Sequence, residues 1–129
     1  MLEKEIELAN ALADMYCKCG MICQAQEVID VLPFRNVVSW NVLISGYAEH
    51  GYGQEALLCL EMMRNDGFSP NRVTFLCILK ACGSMRAIDK GREIHAEILK
   101  QGLLLRDILI GTSLIDMYVK CGVLDKAQE

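Results

Sequence analysis

Apolar residues recur at three- and four-residue spacing along almost the whole chain, the period of a helix with one buried face. Trp40, Leu43, Ile44 and Tyr47 form one such stripe, and Ala56, Leu57, Leu60 and Met63 form the next. Phe75, Ile78, Leu79 and Cys82 form a third. Glycines interrupt the pattern where helices should turn: Gly51 and Gly53 between the first two stripes, and Gly67 after the second. On this pattern Ser39 is expected to cap one helix, Gln54–Asp66 to form the next, Thr74 to open a third, and Asp89 to cap a fourth. Pro33 is expected to end the helix before Ser39, and Gly102 to close the one after Asp89.

The stripes belong to a repeat. Residues 14–20 read DMYCKCG and residues 116–122 read DMYVKCG, an offset of 102. The offset divides into steps of 31, 35 and 36 residues, carrying Asn10 to Asn41, Leu76 and Thr112 in turn. Ala25, Ala56, Gly91 and Ala127 fall at one matched position near the start of each second helix. A minimal side chain there is expected to let the two helices of a unit approach closely. Neither helix of a pair can bury its stripe alone, so the pairs must stack. The fold class expected is all-α, a right-handed α-solenoid of antiparallel helix pairs.

Composition narrows the picture. The chain has 129 residues, 53% hydrophobic and 23% charged, which excludes disorder; 2 prolines exclude fibrous repeats. No apolar run reaches the roughly 18 residues of a membrane helix. The net charge of −4 argues against a nucleic-acid partner, but it is uneven. Residues 1–71 carry net −6, residues 72–107 net +3 and residues 108–129 net −1.

The chemistry-bearing residues yield no catalytic set. Seven cysteines without framework spacing are expected to be reduced thiols. Cys17, Cys19 and Cys23 lack metal-site spacing. His95-Ala96-Glu97 matches half of a zinc-deaminase signature, yet no Pro-Cys-x-x-Cys accompanies it. No nucleophile triad or phosphate-binding loop is present, so no enzyme activity, metal, cofactor or small-molecule substrate is expected. The acidic first residues have the character of neither a signal nor a transit peptide.

Taken unit by unit, the sequence resembles a pentatricopeptide repeat protein of the plant PLS subclass. Residues 6–36 resemble its short S unit, 37–71 its P unit and 72–107 its long L unit. Residues 108–129 resemble the start of a second S unit, and 1–5 the tail of a preceding L unit. The resemblance implies sequence-specific binding of single-stranded RNA in a mitochondrion or chloroplast, about one nucleotide per unit, serving C-to-U editing. It also implies organellar editing-factor proteins as partners. By the same resemblance, the fifth and last residues of each unit read the base. These are Asn10 with Asn36, Asn41 with Asn71, Leu76 with Asp107, and Thr112 in the incomplete unit. The second residues Val38, Val73 and Leu109 would sandwich bases, and Glu7 departs from that pattern. A protein-binding scaffold of the tetratricopeptide kind is the alternative; its even 34-residue period is opposed by the 31, 35, 36 alternation.

Overall fold

A computed structural model of the chain describes residues 2–122. Among the described residues seven helices follow one another: α1 (Leu2–Lys18), α2 (Ile22–Asp30), α3 (Val37–Glu49), α4 (Gly53–Asn65), α5 (Arg72–Met85), α6 (Ile88–Lys100) and α7 (Ile108–Lys120). They pair as α1–α2, α3–α4 and α5–α6, with α7 packed against α5. The first helices of successive pairs stack side by side, α1 on α3 and α3 on α5. Among the described residues there are no strands, and no helix is long and apolar enough to cross a membrane. Ala127 and the other residues from 123 onward lie outside the described residues.

One continuous core runs through the stack. Ile29, Leu43, Ile44, Leu60, Met63, Phe75, Ile78, Ile94 and Ile98 are completely shielded from solvent. They come from α2 to α6, so burial depends on both helices of each pair and on the neighbouring pair.

Several boundaries differ from the sequence expectation, each for a physical reason. Ser39 does not cap α3. Asn36 does, in an extended conformation, and its side chain accepts a hydrogen bond from the Ser39 backbone N–H. Ser39 returns one by accepting from the Asn36 backbone, completing a reciprocal capping box. Asn71 and Thr74 repeat this arrangement at α5. Asp89 lies inside the first turn of α6, and Ala87 takes the cap position with no side-chain bond. Gly53 does not break a helix but begins α4. Helix α2 stops at Asp30, short of Pro33. Helix α1 starts at Leu2, so residues 2–5 continue the first helix of the first pair.

The turns inside the pairs share one device. Gly20 and Gly51 adopt φ of 78° and 83°, and Met21 and Tyr52 donate back to the carbonyls of Tyr16 and Tyr47 at 2.8 Å. In the third pair the equivalent residue is Arg86, held at φ 55° although it carries a side chain. Ala87 still donates to the Cys82 carbonyl at 2.9 Å, so the turn is kept despite that cost.

Gly46 and Gly91 serve contacts between pairs rather than within them, which corrects the expectation for Gly91. A Cβ built on Gly91 would lie 2.5 Å from Met117 Sδ, on α7, beyond its own pair. A Cβ on Gly46 would lie 2.5 Å from Cys17 Sγ and 3.2 Å from Cys17 Cβ, where α3 crosses α1. Methionine can swing aside, but cysteine has little room to do so. Gly46→Ala should therefore destabilise the chain by about 1–2 kcal/mol, the overpacking cost less the helix-propensity gain of alanine. Urea unfolding followed by circular dichroism checks this; unchanged stability would show that α1 and α3 are not tightly seated.

Candidate nucleic-acid interface

The expected base-reading residues lie where one first helix meets the start of the next. Asn10 and Asn41 are on the stacked faces of α1 and α3 and are only 6% and 7% exposed. Asn36 and Asn71 are the caps of α3 and α5. The structure brings each expected asparagine pair into direct contact. Asn10 Nδ2 donates to Asn36 Oδ1 at 3.1 Å, and Asn41 Nδ2 donates to Asn71 Oδ1 at 3.0 Å.

The capping bonds fix which way these amides point. Asn36 Oδ1 accepts from the Ser39 N–H at 3.0 Å, and Asn71 Oδ1 from the Thr74 N–H at 3.2 Å. A backbone N–H can only donate, so the atom it meets is the oxygen. The facing atom of Asn10 or Asn41 must then be its NH2. One oxygen in each pair thus caps a helix and holds an asparagine from the first helix of the preceding pair. In the second pair, Thr74 Oγ1 also donates to Asn41 Oδ1 at 2.5 Å. In the first pair, Asn10 Oδ1 is buried without a partner.

The other expected residues are placed differently. Leu76 has no polar atom to offer Asp107; Arg72 Nε donates to the Asp107 carboxylate instead. Asp107 caps α7, accepting from the N–H groups of Leu109 and Ile110 at 3.1 and 3.2 Å. The bond from Arg72 holds its carboxyl below the usual 3.8, against the raising effect of desolvation. Thr112 Oγ1 donates to the Ile108 carbonyl at 2.9 Å, and its side chain is exposed. Leu76 and Thr112 share a recess between α5 and α7 with Lys80, Ser113, Asp116 and Lys120. A matching recess between α1 and α3 is lined by Asn10, Asn36, Val38 and Val42, with Glu7 and Asp14 at its edge. Val38, Val73 and Leu109 are exposed, at 54%, 45% and 49%. Ser39, Thr74 and Arg72 were not singled out for a role at this site. The signal for the first two is Asn-x-x-Ser/Thr at 36–39 and 71–74, a capping-box spacing.

The thiols stand apart from these recesses in chemistry. Burial pushes Cys59 up to about 12 and Cys82 to about 11, so both are protonated at neutral pH and poor ligands. Among the described residues, no group of three or more His, Cys, Asp or Glu could hold a metal ion. His95 is half-buried, with Nδ1 2.7 Å from the Tyr118 hydroxyl and its ring edge-on to that tyrosine.

Stacked helix pairs, with an asparagine pair recurring at the first two junctions, define an α-solenoid repeat protein. Two family models match: one described as PPR repeat family over residues 35–84, the other as PPR repeat over residues 112–129. Together they span more than half of the chain, and it belongs to the pentatricopeptide repeat family. A pentatricopeptide repeat-containing protein of Arabidopsis thaliana is 39% identical over 124 residues, covering 96% of this chain and 18% of that protein. A chloroplastic and a mitochondrial one from the same plant are each 40% identical. They cover 98% and 95% of this chain, and 15% and 19% of their own lengths. The crystal structure of the pentatricopeptide repeat protein PPR10 from maize matches with a TM-score of 0.76 at 26% identity. The match covers 95% of this chain and 18% of that one. The chain thus spans less than a fifth of the length of these relatives.

Two outcomes follow from the geometry. Asn71→Ala should lower stability by about 1 kcal/mol through loss of the cap. Asn71→Asp, which keeps the acceptor and suits a helix N-terminus, should stay within about 0.5 kcal/mol. Equal losses in chemical denaturation would mean the cap carries no weight. The second outcome concerns the thiols. Cys19 and Cys23 are exposed and should alkylate in the native state, whereas Cys59 and Cys82 should react only on unfolding. Mass spectrometry after timed iodoacetamide treatment reads this; early modification of Cys82 would contradict the packing of α5.

Proposed function

We propose that this chain binds single-stranded RNA sequence-specifically, one base at each junction between units, as part of an organellar protein that marks sites of C-to-U editing. The observation that carries the reading is the twice-repeated asparagine pair, Asn10–Asn36 and Asn41–Asn71, the first of them lining a recess between α1 and α3. A carboxamide offers both a donor and an acceptor and suits the Watson–Crick edge of a pyrimidine. Family membership supports RNA as the ligand, and the chloroplastic and mitochondrial names of relatives support an organelle.

In this reading the units are 6–36, 37–71, 72–107 and 108–129, in the S, P, L, S order of the PLS subclass. Asn10 with Asn36 and Asn41 with Asn71 read pyrimidines. Leu76 with Asp107 discriminates little, because leucine cannot hydrogen-bond and the carboxylate is engaged by Arg72. Thr112 reads a purine. Val38, Val73 and Leu109 cover the faces of the bases. With the first unit toward the 5′ end, the preferred order is pyrimidine, cytosine, any base, purine. The function is binding, without catalysis, metal or cofactor, and organellar editing factors are the protein partners.

Electrostatics sets the strength. The first recess has Glu7 and Asp14 at its edge, and Lys18 is tied to Asp14 at 2.8 Å. Phosphate attraction is therefore concentrated toward the third unit, and binding weakens with salt. Asn41→Thr should move the second position from pyrimidine to purine. A good base contact is worth roughly 1–3 kcal/mol, so a swing of several-fold is expected. Competition among four oligonucleotides differing at that base measures it. An equal loss for all four bases would make Asn41 purely structural.

A further inference from the structure

The two asparagine pairs are identical in residue type, yet their hydrogen bonding differs. Each junction is a network of three residues: Asn10, Asn36 and Ser39 in the first, Asn41, Asn71 and Thr74 in the second. The networks differ in one residue, serine against threonine at the third position of the following helix. Both hydroxyls accept from the cap's backbone N–H at 3.2 Å, which leaves each with one proton to give. Ser39 Oγ has Asn36 Oδ1 at 3.0 Å and no bond to Asn10. Thr74 Oγ1 has Asn41 Oδ1 at 2.5 Å and Asn71 Oδ1 at 3.1 Å. Asn71 Oδ1 already takes the Thr74 N–H and the Asn41 NH2, so the Thr74 proton goes to Asn41.

The consequence is a difference in what each junction can offer a base. In the second, the Asn41 oxygen is engaged inside the fold, and what remains is the second N–H of Asn41 and the NH2 of Asn71. That is a set of donors. In the first, Asn10 lines the recess, and its Oδ1 is buried with no donor. That junction keeps an acceptor in need of a partner.

We propose that Thr74 and Ser39 are positioning residues that set cytosine against uracil at the two asparagine-paired junctions. Cytosine presents two adjacent acceptors, N3 and O2, to the donor set at Asn41 and Asn71. Uracil presents an N3–H, which has no acceptor to meet there but finds one at Asn10. The second junction therefore prefers cytosine and the first prefers uracil, although both carry the same asparagines. This inference rests on the RNA-reading role proposed above.

The test uses the full 129-residue chain and fluorescent single-stranded RNA oligonucleotides that differ only at the first or second position. Wild type should prefer uracil at the first position and cytosine at the second, each by at least threefold. The exchange should act reciprocally: Thr74→Ser lowers the cytosine-to-uracil ratio at the second position, and Ser39→Thr raises it at the first. Thr74→Val, with the hydroxyl removed, should bring the second-position ratio to within twofold of unity while leaving the fourth-position preference unchanged. Circular dichroism establishes that each variant is folded, and should Thr74→Val not fold, the two exchanges decide. Folded exchange variants that bind RNA with wild-type ratios overturn the inference alone. Wild type that binds no RNA, or binds without any preference at these positions, overturns the function on which it rests.

Discussion

The oxygen Oδ1 of a capping asparagine ties one repeat to the next. Asn36 and Asn71 are each in an extended conformation, accept the backbone N–H three residues on, and accept from the amide of an asparagine in the first helix of the preceding pair. A helix start carries unpaired donors, and asparagine is among the side chains best able to satisfy one. Because the same atom also receives Asn10 or Asn41, starting a helix correctly and seating it against its neighbour become one event. The orientation of the recess amides is then set by the fold before any ligand arrives, which spares a ligand the cost of ordering them.

Around these junctions the packing is arranged between pairs more than within them. Gly46 lets α3 meet α1 at Cys17, and Gly91 admits Met117 from α7. Leu43, Ile44, Ile78 and Leu79 sit on first helices and are fully buried because a helix lies on either side. The tolerance of φ 55° at Arg86 points the same way: the turn is imposed by the packed helices around it, not by the local residue.

Much of the fold was legible from the sequence because helical period and repeat step are independent signals that agree here. The stripes at Trp40 to Tyr47 and Phe75 to Cys82 mark α3 and α5, and Gly67 has the positive φ expected of a helix end. Helix starts were less legible. Serine and threonine are good caps in isolation, so Ser39 and Thr74 looked like the starts; asparagine three residues earlier outcompetes them only because the hydroxyl answers its backbone. The partner of Gly91 was hidden for a different reason. A small residue announces a close approach but not which helix approaches, and that depends on stacking between units. At the candidate interface, the pairing of Asn10 with Asn36 and of Asn41 with Asn71 followed from the family resemblance rather than from spacing. Arg72 on Asp107 left no sequence signal, because the matched positions Ile6, Val37 and Ile108 in the other units are apolar.

In the proposed function the asparagine amides at the junctions meet RNA bases. Nitrogen-15 NMR of the side-chain amides during titration with a short single-stranded RNA tests this most directly, since those NH2 groups report on themselves. The side-chain signals of Asn10, Asn41 and Asn71 should shift saturably, together with the backbone signals of Val38 and Val73. Shifts confined to α2, α4 and α6, with the asparagine amides unmoved at saturation, would contradict it.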